Sequence, residues 1–361
     1  KGLYQTIFLL LSNYSHIAKH VVIWNFVGVN KMKKTFYLFS DGELSRQNNT
    51  LCFQTKEGKR FLPVENVNEI FIFGQITFNK ELLELLSRYE IIIHYFNYYG
   101  YYMGSFYPRE HLNSGYIILK QAQFYLNQDL RLDNAKRFVT GAERNILRVL
   151  KYYQARQKNV IDIIQKIEMV GDEIPNANNI QSLMALEGKI HEFYYAAFDL
   201  IIDKPEFNFE VRTRRPPKNE LNTLISFGNS LIYTICLSEI YKTHLDPRIG
   251  FLHETNYRRF SLNLDIAEIF KPIIVDRIIF SLISKGIINS GDFIKNTEGL
   301  LMSEKAKKAF ISELDEKLTT TINYRSIGHP ISYRRLIRLE LYKLEKHIMG
   351  EKLYQPFIAQ W

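Results

Sequence analysis

The stretch IQSLMALEGKIHEFYYAAFDLII, residues 180–202, decides the fold. Its apolar residues return every three or four positions for more than five turns, which is the pattern of an amphipathic helix and too long for a strand. At 100° per residue, Leu183, Ile190, Tyr194 and Ile201 form one apolar stripe, while Lys189, Glu192 and Asp199 fall on the opposite side. Glu187 lies inside the stripe. A carboxylate on a buried face is costly unless it is paired, protonated or bound to a cation. The helix therefore predicts a helical core, and it singles out one acid that either forms a structural ion pair with a Lys or Arg or helps to hold a cation.

The same periodicity extends outward. Ala122–Leu132, Ala135–Gln157 and Asn219–Tyr241 read as helices, separated by the loop Asp172–Asn179 and by the Pro-Pro segment Arg212–Lys218. Upstream of Pro108 the character is different. Thr35–Phe39, Thr50–Gln54, Glu69–Phe73, Glu90–His94 and Tyr101–Phe106 are short runs rich in Phe, Tyr, Ile and Thr, divided by turn pairs such as Asp41-Gly42, Glu57-Gly58 and Tyr99-Gly100. One helix opens at Asn79, a good N-cap residue. The expected fold is α+β: a small β-rich N-terminal domain over 32–108, a linker over 109–118 and a larger all-helical domain over 119–361. Residues 1–31 start at Lys1 and carry two short apolar runs, neither near the ~20 residues that span a bilayer. They read as a leader or non-native extension, with Met32 as the working start.

Composition narrows the class. With 361 residues, 46% hydrophobic and 24% charged, the chain is globular and large enough for a core without staples. Cys52 and Cys236 sit in apolar contexts and read as buried small hydrophobes of a reducing compartment, not as a disulfide or zinc pair. The order of a signal peptide is missing and no stretch reads as a membrane span, so a cytoplasmic protein is expected. The 23 Tyr and 25 Phe read mostly as core and sheet residues. A net charge of +9 favours polyanionic partners, and setting aside Lys1, Lys19 and Lys31 still leaves a basic chain.

A second concentration of chemistry runs from His253 to Glu268. Asp265 and Glu268 are three apart in the short helical segment Leu262–Phe270 and share one side of it. One imidazole with two or three carboxylates suits Mg²⁺ or Mn²⁺, and the histidine tilts the preference toward Mn²⁺. Such a set serves phosphoryl transfer. Arg212, Arg214, Arg215 and Lys218 form a basic loop, and Arg325, Arg334, Arg335 and Arg338 a second cluster; either contacts DNA phosphates or is a solvated surface paired with acids such as Glu340. Asn222, Ser226 and Asn229 make a polar stripe on an apolar helix, lining a cleft or bonding between helices. Asp276-Arg277 reads as an internal ion pair.

Four blocks in order carry a resemblance: LEG (186–188), RTRRPPKNELNTLISFG (212–228), LDPRIGFLHE (245–254) and LNLDIAEIFKPIIVDR (262–277). Together they make the chain, from about Met32 onward, resemble the CRISPR-associated spacer-acquisition integrases, the universal first-numbered Cas proteins. The resemblance implies a β-rich domain that forms a homodimer and a helical catalytic domain. It implies that Glu187, His253 and Glu268 are catalytic metal ligands, with Glu268 where the family commonly has Asp, and that Asp265 is a neighbouring acid of the site. The implied activity is insertion of pre-spacer DNA into a CRISPR repeat by 3′-hydroxyl transesterification, with nuclease action on branched or linear DNA. The small second-numbered Cas protein would be the partner. Phosphate contacts are expected from Arg212, Arg214, Arg215 and Lys218, and from Arg248 beside His253. Two alternatives stay open: a mobile-element integrase of the same superfamily, and a DNA-binding scaffold whose metal site is degenerate.

Overall fold

The computed structural model describes residues 33–109, 112, 114–214, 216–255, 260–296, 299–324 and 328–360. The expected leader with its Met32 boundary, Arg215 and Arg325 lie outside the described residues.

The β-rich part consists of β1 (Lys34–Leu38), β2 (Gly42–Gln47), β3 (Thr50–Thr55), β4 (Gly58–Pro63), β5 (Val67–Ile72), β6 (Ile76–Phe78), α1 (Lys80–Tyr89), β7 (Ile92–Phe96) and β8 (Tyr102–Phe106). They make two four-stranded sheets, ordered β1-β5-β7-β8 and β4-β3-β2-β6. In the first, β1, β5 and β7 run parallel and β8 is antiparallel; β5, buried on nearly every residue, is its central strand. Asn79 caps α1 as expected, accepting from Leu82 N at 3.1 Å. Leu82, Leu85 and Leu86 then share a core with Leu44, Leu51, Val67 and Ile91. Strands β2, β4 and β6 are additional to the expected set. GELSRQ is mostly polar, and GKRFLP, exposed at a sheet edge, runs its apolar residues together, so neither shows the apolar alternation that marks a strand.

The helices are α2 (Gly115–Leu126), α3 (Gln128–Gln154), α4 (Ile161–Gly171), α5 (Ile180–Ile202), α6 (Glu220–Ile240), α7 (Leu262–Phe270), α8 (Arg277–Ser284), α9 (Glu304–Thr319) and α10 (Tyr333–Ile348). The expected helix Ala122–Leu132 is broken: Asn127 leaves helical geometry and its side chain accepts from Leu130 N at 3.0 Å, starting α3 afresh. A π-helical turn, Pro272–Asp276, joins α7 to α8 where Pro272 cannot donate a helix hydrogen bond. Two hairpins interrupt the helices, β9 (Phe293–Asn296) with β10 (Gly299–Met302), and β11 (Thr321–Tyr324) with β12 (His329–Ser332). Helix α6 runs through the middle of the core. By length and apolarity it could cross a bilayer, but 83% of its apolar window is buried in protein.

Residues 34–361 form one compact unit, and a buried ionic network ties its β-rich and helical parts together. Glu69 of β5 is fully buried and receives Ser238 of α6, Thr35 of β1 at 3.0 Å and the Arg334 guanidinium of α10. Glu239, equally buried, receives Arg334 at 2.9 Å, Arg338 at 2.6 Å and Lys242 at 3.1 Å. Arg334 and Arg338 are thus neither solvated nor partners of Glu340. That acid instead accepts from Tyr354 Oη, Phe357 N and Lys343.

Candidate metal centre

Helix α5 starts at Asn179, whose side chain accepts from Ser182 N at 2.8 Å while Ser182 Oγ accepts from Asn179 N, a closed capping box. With that start fixed, Leu183, Ile190, Tyr194 and Ile201 all face the core and Glu187 is carried inward with them. The Glu187 side chain retains 19% exposure. Helix α7 faces it and presents Glu268, which is 4% exposed. Between the two carboxylates stands His191, one turn beyond Glu187. Its Nε2 lies 3.2 Å from Glu187 Oε1 and 3.2 Å from Glu268 Oε2. Ligand-capable atoms of these three residues lie within 4.8 Å of one another.

His191 is the residue that sequence reading missed. Its signal was the i, i+4 spacing from Glu187, which puts both on one face. Lys271 was also missed. Its ammonium grips both Glu268 oxygens, at 2.9 and 2.8 Å, and Tyr233 Oη of α6 lies 3.5 Å from Oε1. Burial pushes the Glu268 carboxyl up, but Lys271, His191 and His253 outweigh it and hold it well below the usual carboxylate range. Burial also disfavours a charged His191, yet the Glu187 and Glu268 carboxylates raise it well above an ordinary imidazole. Two acids at this separation demand positive charge between them, and here His191 and Lys271 supply it.

His253 and Asp265 form a second layer. Asp265 is fully buried on α7 and accepts from Phe251 N at 2.5 Å, Leu252 N at 3.1 Å and His253 N at 3.0 Å. The same carboxylate lies 2.8 Å from His253 Nδ1. Gly250 makes this approach possible, since a Cβ there would stand 2.9 Å from Asp265 Oδ2 and 2.8 Å from the Ser261 carbonyl carbon. An N–H on Nδ1 pointing at the carboxylate leaves Nε2 of His253 as the nitrogen with a lone pair. Asp265, with both oxygens engaged, orients the loop and its imidazole. His253 is close enough to help lower Glu268, although it stands outside the Glu187–His191–Glu268 group.

The basic residues divide. Arg212 turns inward onto α6, where it donates to Asn222 Oδ1 at 2.9 Å and Ser226 Oγ at 3.2 Å, and lies near Tyr195 and Tyr233 at the edge of the centre. Arg214 and Lys218 are exposed. Arg248 pairs with Asp246 at 2.5 Å. Asp276 lies near Tyr194, Lys271 and His191 behind the centre, and burial pushes its carboxyl up to about 7 despite Lys271.

The donor chemistry fits a hard divalent cation: two carboxylates on facing helices with the His191 imidazole between them and His253 nearby, the combination that suits Mg²⁺ and, with nitrogen included, Mn²⁺.

A β-rich part followed by a helical part, with an acid–histidine centre between the helices, defines a distinct class of two-part proteins. The chain belongs to the Cas1 family: residues 36–316 match the family described as CRISPR associated protein Cas1. It is 57% identical, over 91% of its length and 100% of the relative's, to the CRISPR-associated endonuclease Cas1 2 of Thermodesulfovibrio yellowstonii. It is 47% identical to the CRISPR-associated endonuclease Cas1 of Thermotoga maritima, over 89% of this chain and 98% of that one. The structure of a Cas1 protein from Thermotoga maritima superposes with a TM-score of 0.81 at 46% identity, covering 90% and 99% of the two chains. A casposase described as bound to integration product shares the fold, with a TM-score of 0.81 at 21% identity over 91% of this chain and 94% of that one.

Proposed function

We propose that this protein is a metal-dependent DNA integrase and endonuclease that inserts pre-spacer DNA into a CRISPR array. The observation that supports it most is the meeting of Glu187 and Glu268 from facing helices, with one imidazole between them and His253 nearby, in a chain of the Cas1 family. Glu187 and Glu268 would hold Mg²⁺ or Mn²⁺ together with His253. The choice of imidazole follows from the second layer. A metal-bound histidine almost always gives its other nitrogen to a carboxylate or carbonyl, and His253 has Asp265 in that place. His191 Nδ1 is buried with no hydrogen-bond partner among the described residues. When bound, the ion supplies charge neutralisation at the scissile phosphate and a lowered pKa for the attacking hydroxyl.

In strand transfer the 3′-hydroxyl oxygen of the incoming DNA bonds to phosphorus, and the target strand's own 3′-oxygen leaves and takes up a proton. With water as the nucleophile the same displacement is hydrolysis. Lys271 keeps Glu268 ionised, Asp265 holds the His253 ring, and Arg212 places fixed positive charge at the edge of the centre. Arg214, Arg215, Lys218 and Arg248 would steer the phosphate backbone. The β-rich part would form the homodimer contact, and the small second-numbered Cas protein would complete a cytoplasmic integration complex. A solved complex described as Cas6-RT-Cas1–Cas2 shares this fold.

A half-site integration assay with a fluorescent pre-spacer and a repeat duplex tests the reading. Glu187→Ala and His253→Ala proteins are expected to bind DNA as wild type does and to lose Mn²⁺-dependent joining to background. His191→Ala is expected to retain Mn²⁺ binding, measured by calorimetry. Full strand transfer by either of the first two variants sinks the site assignment.

A further inference from the structure

Between Tyr241 and Ser261 the described residues form turns and bends, with no helix or strand. The loop that carries His253 is therefore not held by any regular backbone pattern. Its place is set by side chains of other elements, and these fall into two sets.

The first set belongs to α7. Asp265 takes the amides of Phe251, Leu252 and His253, while Ser261 Oγ bonds to Gly250 N at 2.8 Å and to Arg248 O at 2.7 Å. Ser261 directly precedes α7 and Asp265 lies on it, so this set registers the loop against Glu268 alone. Glu187 stands on α5, and a cation shared by all three residues needs the imidazole fixed against that helix too. The second set reaches the loop from α2 and α3. Helix α3 packs on both α5 and α7, and α2 packs on α3. From α3, Arg131 Nε donates to Phe251 O at 2.9 Å. From α2, Gln121 takes hold of the turn Asp246–Ile249.

Helix α2 buries only Ile117 and Gln121 of its twelve residues, four apart on one face. An apolar side chain would pack at the second of those positions without penalty. A glutamine there, with no exposure at all, is costly unless its polar atoms are bonded. Here they all are. Nε2 donates to Ile249 O at 2.6 Å and to Asp246 O at 3.0 Å, and Oε1 accepts from Asp246 N at 2.9 Å. Both N–H groups and the carbonyl are thus committed to one short turn, 125 residues away in sequence. The turn is only loosely closed by its own backbone, through Ile249 N to Asp246 O at 3.3 Å. His253 follows four residues after Ile249.

We propose that Gln121 is a positioning residue, setting through the Asp246–Ile249 turn the place from which the His253 imidazole joins Glu187 and Glu268 on one cation. The inference rests on the metal-centre reading above and adds to it a residue outside the ligand set.

The test reads the electron spin echo of Mn²⁺ bound to the full chain, which a directly coordinated imidazole nitrogen modulates and carboxylate oxygens do not. Wild type is expected to show the nitrogen modulation, and His253→Ala to lack it. Gln121→Met keeps the side-chain length and removes the amide; Gln121→Asn keeps the amide and withdraws it by one carbon. Each should reduce the modulation depth and weaken Mn²⁺ binding about tenfold, the lower end of the range for a residue that orients a ligand. Asn79→Ala, which removes the cap of α1, should lower the melting temperature and leave echo and affinity as in wild type. Lost stability alone therefore does not imitate the effect. Melting curves identify a glutamine variant that fails to fold, and the other then decides. A folded glutamine variant with wild-type echo and affinity overturns the positioning role and leaves the metal centre standing. Nitrogen modulation that survives in His253→Ala, or is absent from Mn²⁺-loaded wild type, overturns the ligand assignment and this inference with it. Wild type that binds no Mn²⁺ overturns the metal-centre reading as a whole.

Discussion

At the scale of single residues, the division of labour between Glu268 and Asp265 matters most. The two are one helical turn apart and look interchangeable in sequence, yet Glu268 faces Glu187 while Asp265 is saturated by three backbone amides and His253 Nδ1. Asp265→Asn is therefore expected to lower Mn²⁺ affinity or strand transfer about ten- to a hundredfold through a misplaced imidazole, not to zero. Metal titration alongside the joining assay checks this; a loss as complete as that of Glu187→Ala would make Asp265 a ligand instead. Glu187 was legible without any relative, because its charge falls on an apolar stripe. His191 was not, because a histidine at i+4 from a buried acid has several uses, and only the position of α7 shows which acids it bridges.

Among the elements, the helices were read with most success where a cap and a long period agree. Ile180–Ile202 was expected and found at the same bounds because Asn179 fixes its start and nothing interrupts its stripe. Ala122–Leu132 was misread because apolar spacing continues smoothly across Asn127, although the backbone does not. Strands β2 and β4 left little trace because neither alternates apolar with polar residues and the pairing is made by the backbone. Since the register of Glu187 depends on the α5 cap, Asn179→Ala is expected to destabilise the protein by about 1 kcal/mol. It should also lower integration more than that loss alone implies. Thermal melting and the joining assay, run on the same sample, separate the two effects.

For the whole molecule, acid response is dictated by the buried network. Burial drives the Glu239 carboxyl up, but Lys242, Arg334 and Arg338 prevail and hold it down at about 2. A carboxylate depressed in the fold stabilises it fully above its unfolded value near 4.5 and loses that contribution as pH falls toward 2. The loss is on the order of 3 kcal/mol. Asp276 acts in the opposite sense: burial holds it up at about 7, so its protonation favours the fold as pH falls below that value. Urea midpoints of wild type and Glu239→Gln between pH 5 and 2 isolate the Glu239 contribution, and the wild-type curve should be the steeper. Parallel curves would show that Glu239 contributes nothing to acid lability.

That network also sets a timetable. Arg334 meets Glu69 across 265 residues, so the acid at the centre of the first sheet has no arginine until almost the entire chain has been made. A ribosome-bound chain holding only the strands carries an unneutralised carboxylate where the mature core is driest. The sheet that emerges first is therefore finished last, and it is α10 that completes it. Fragments ending before Tyr333 should be poor folders however intact their metal ligands, and the slowest contacts to form are those between the two ends of the chain.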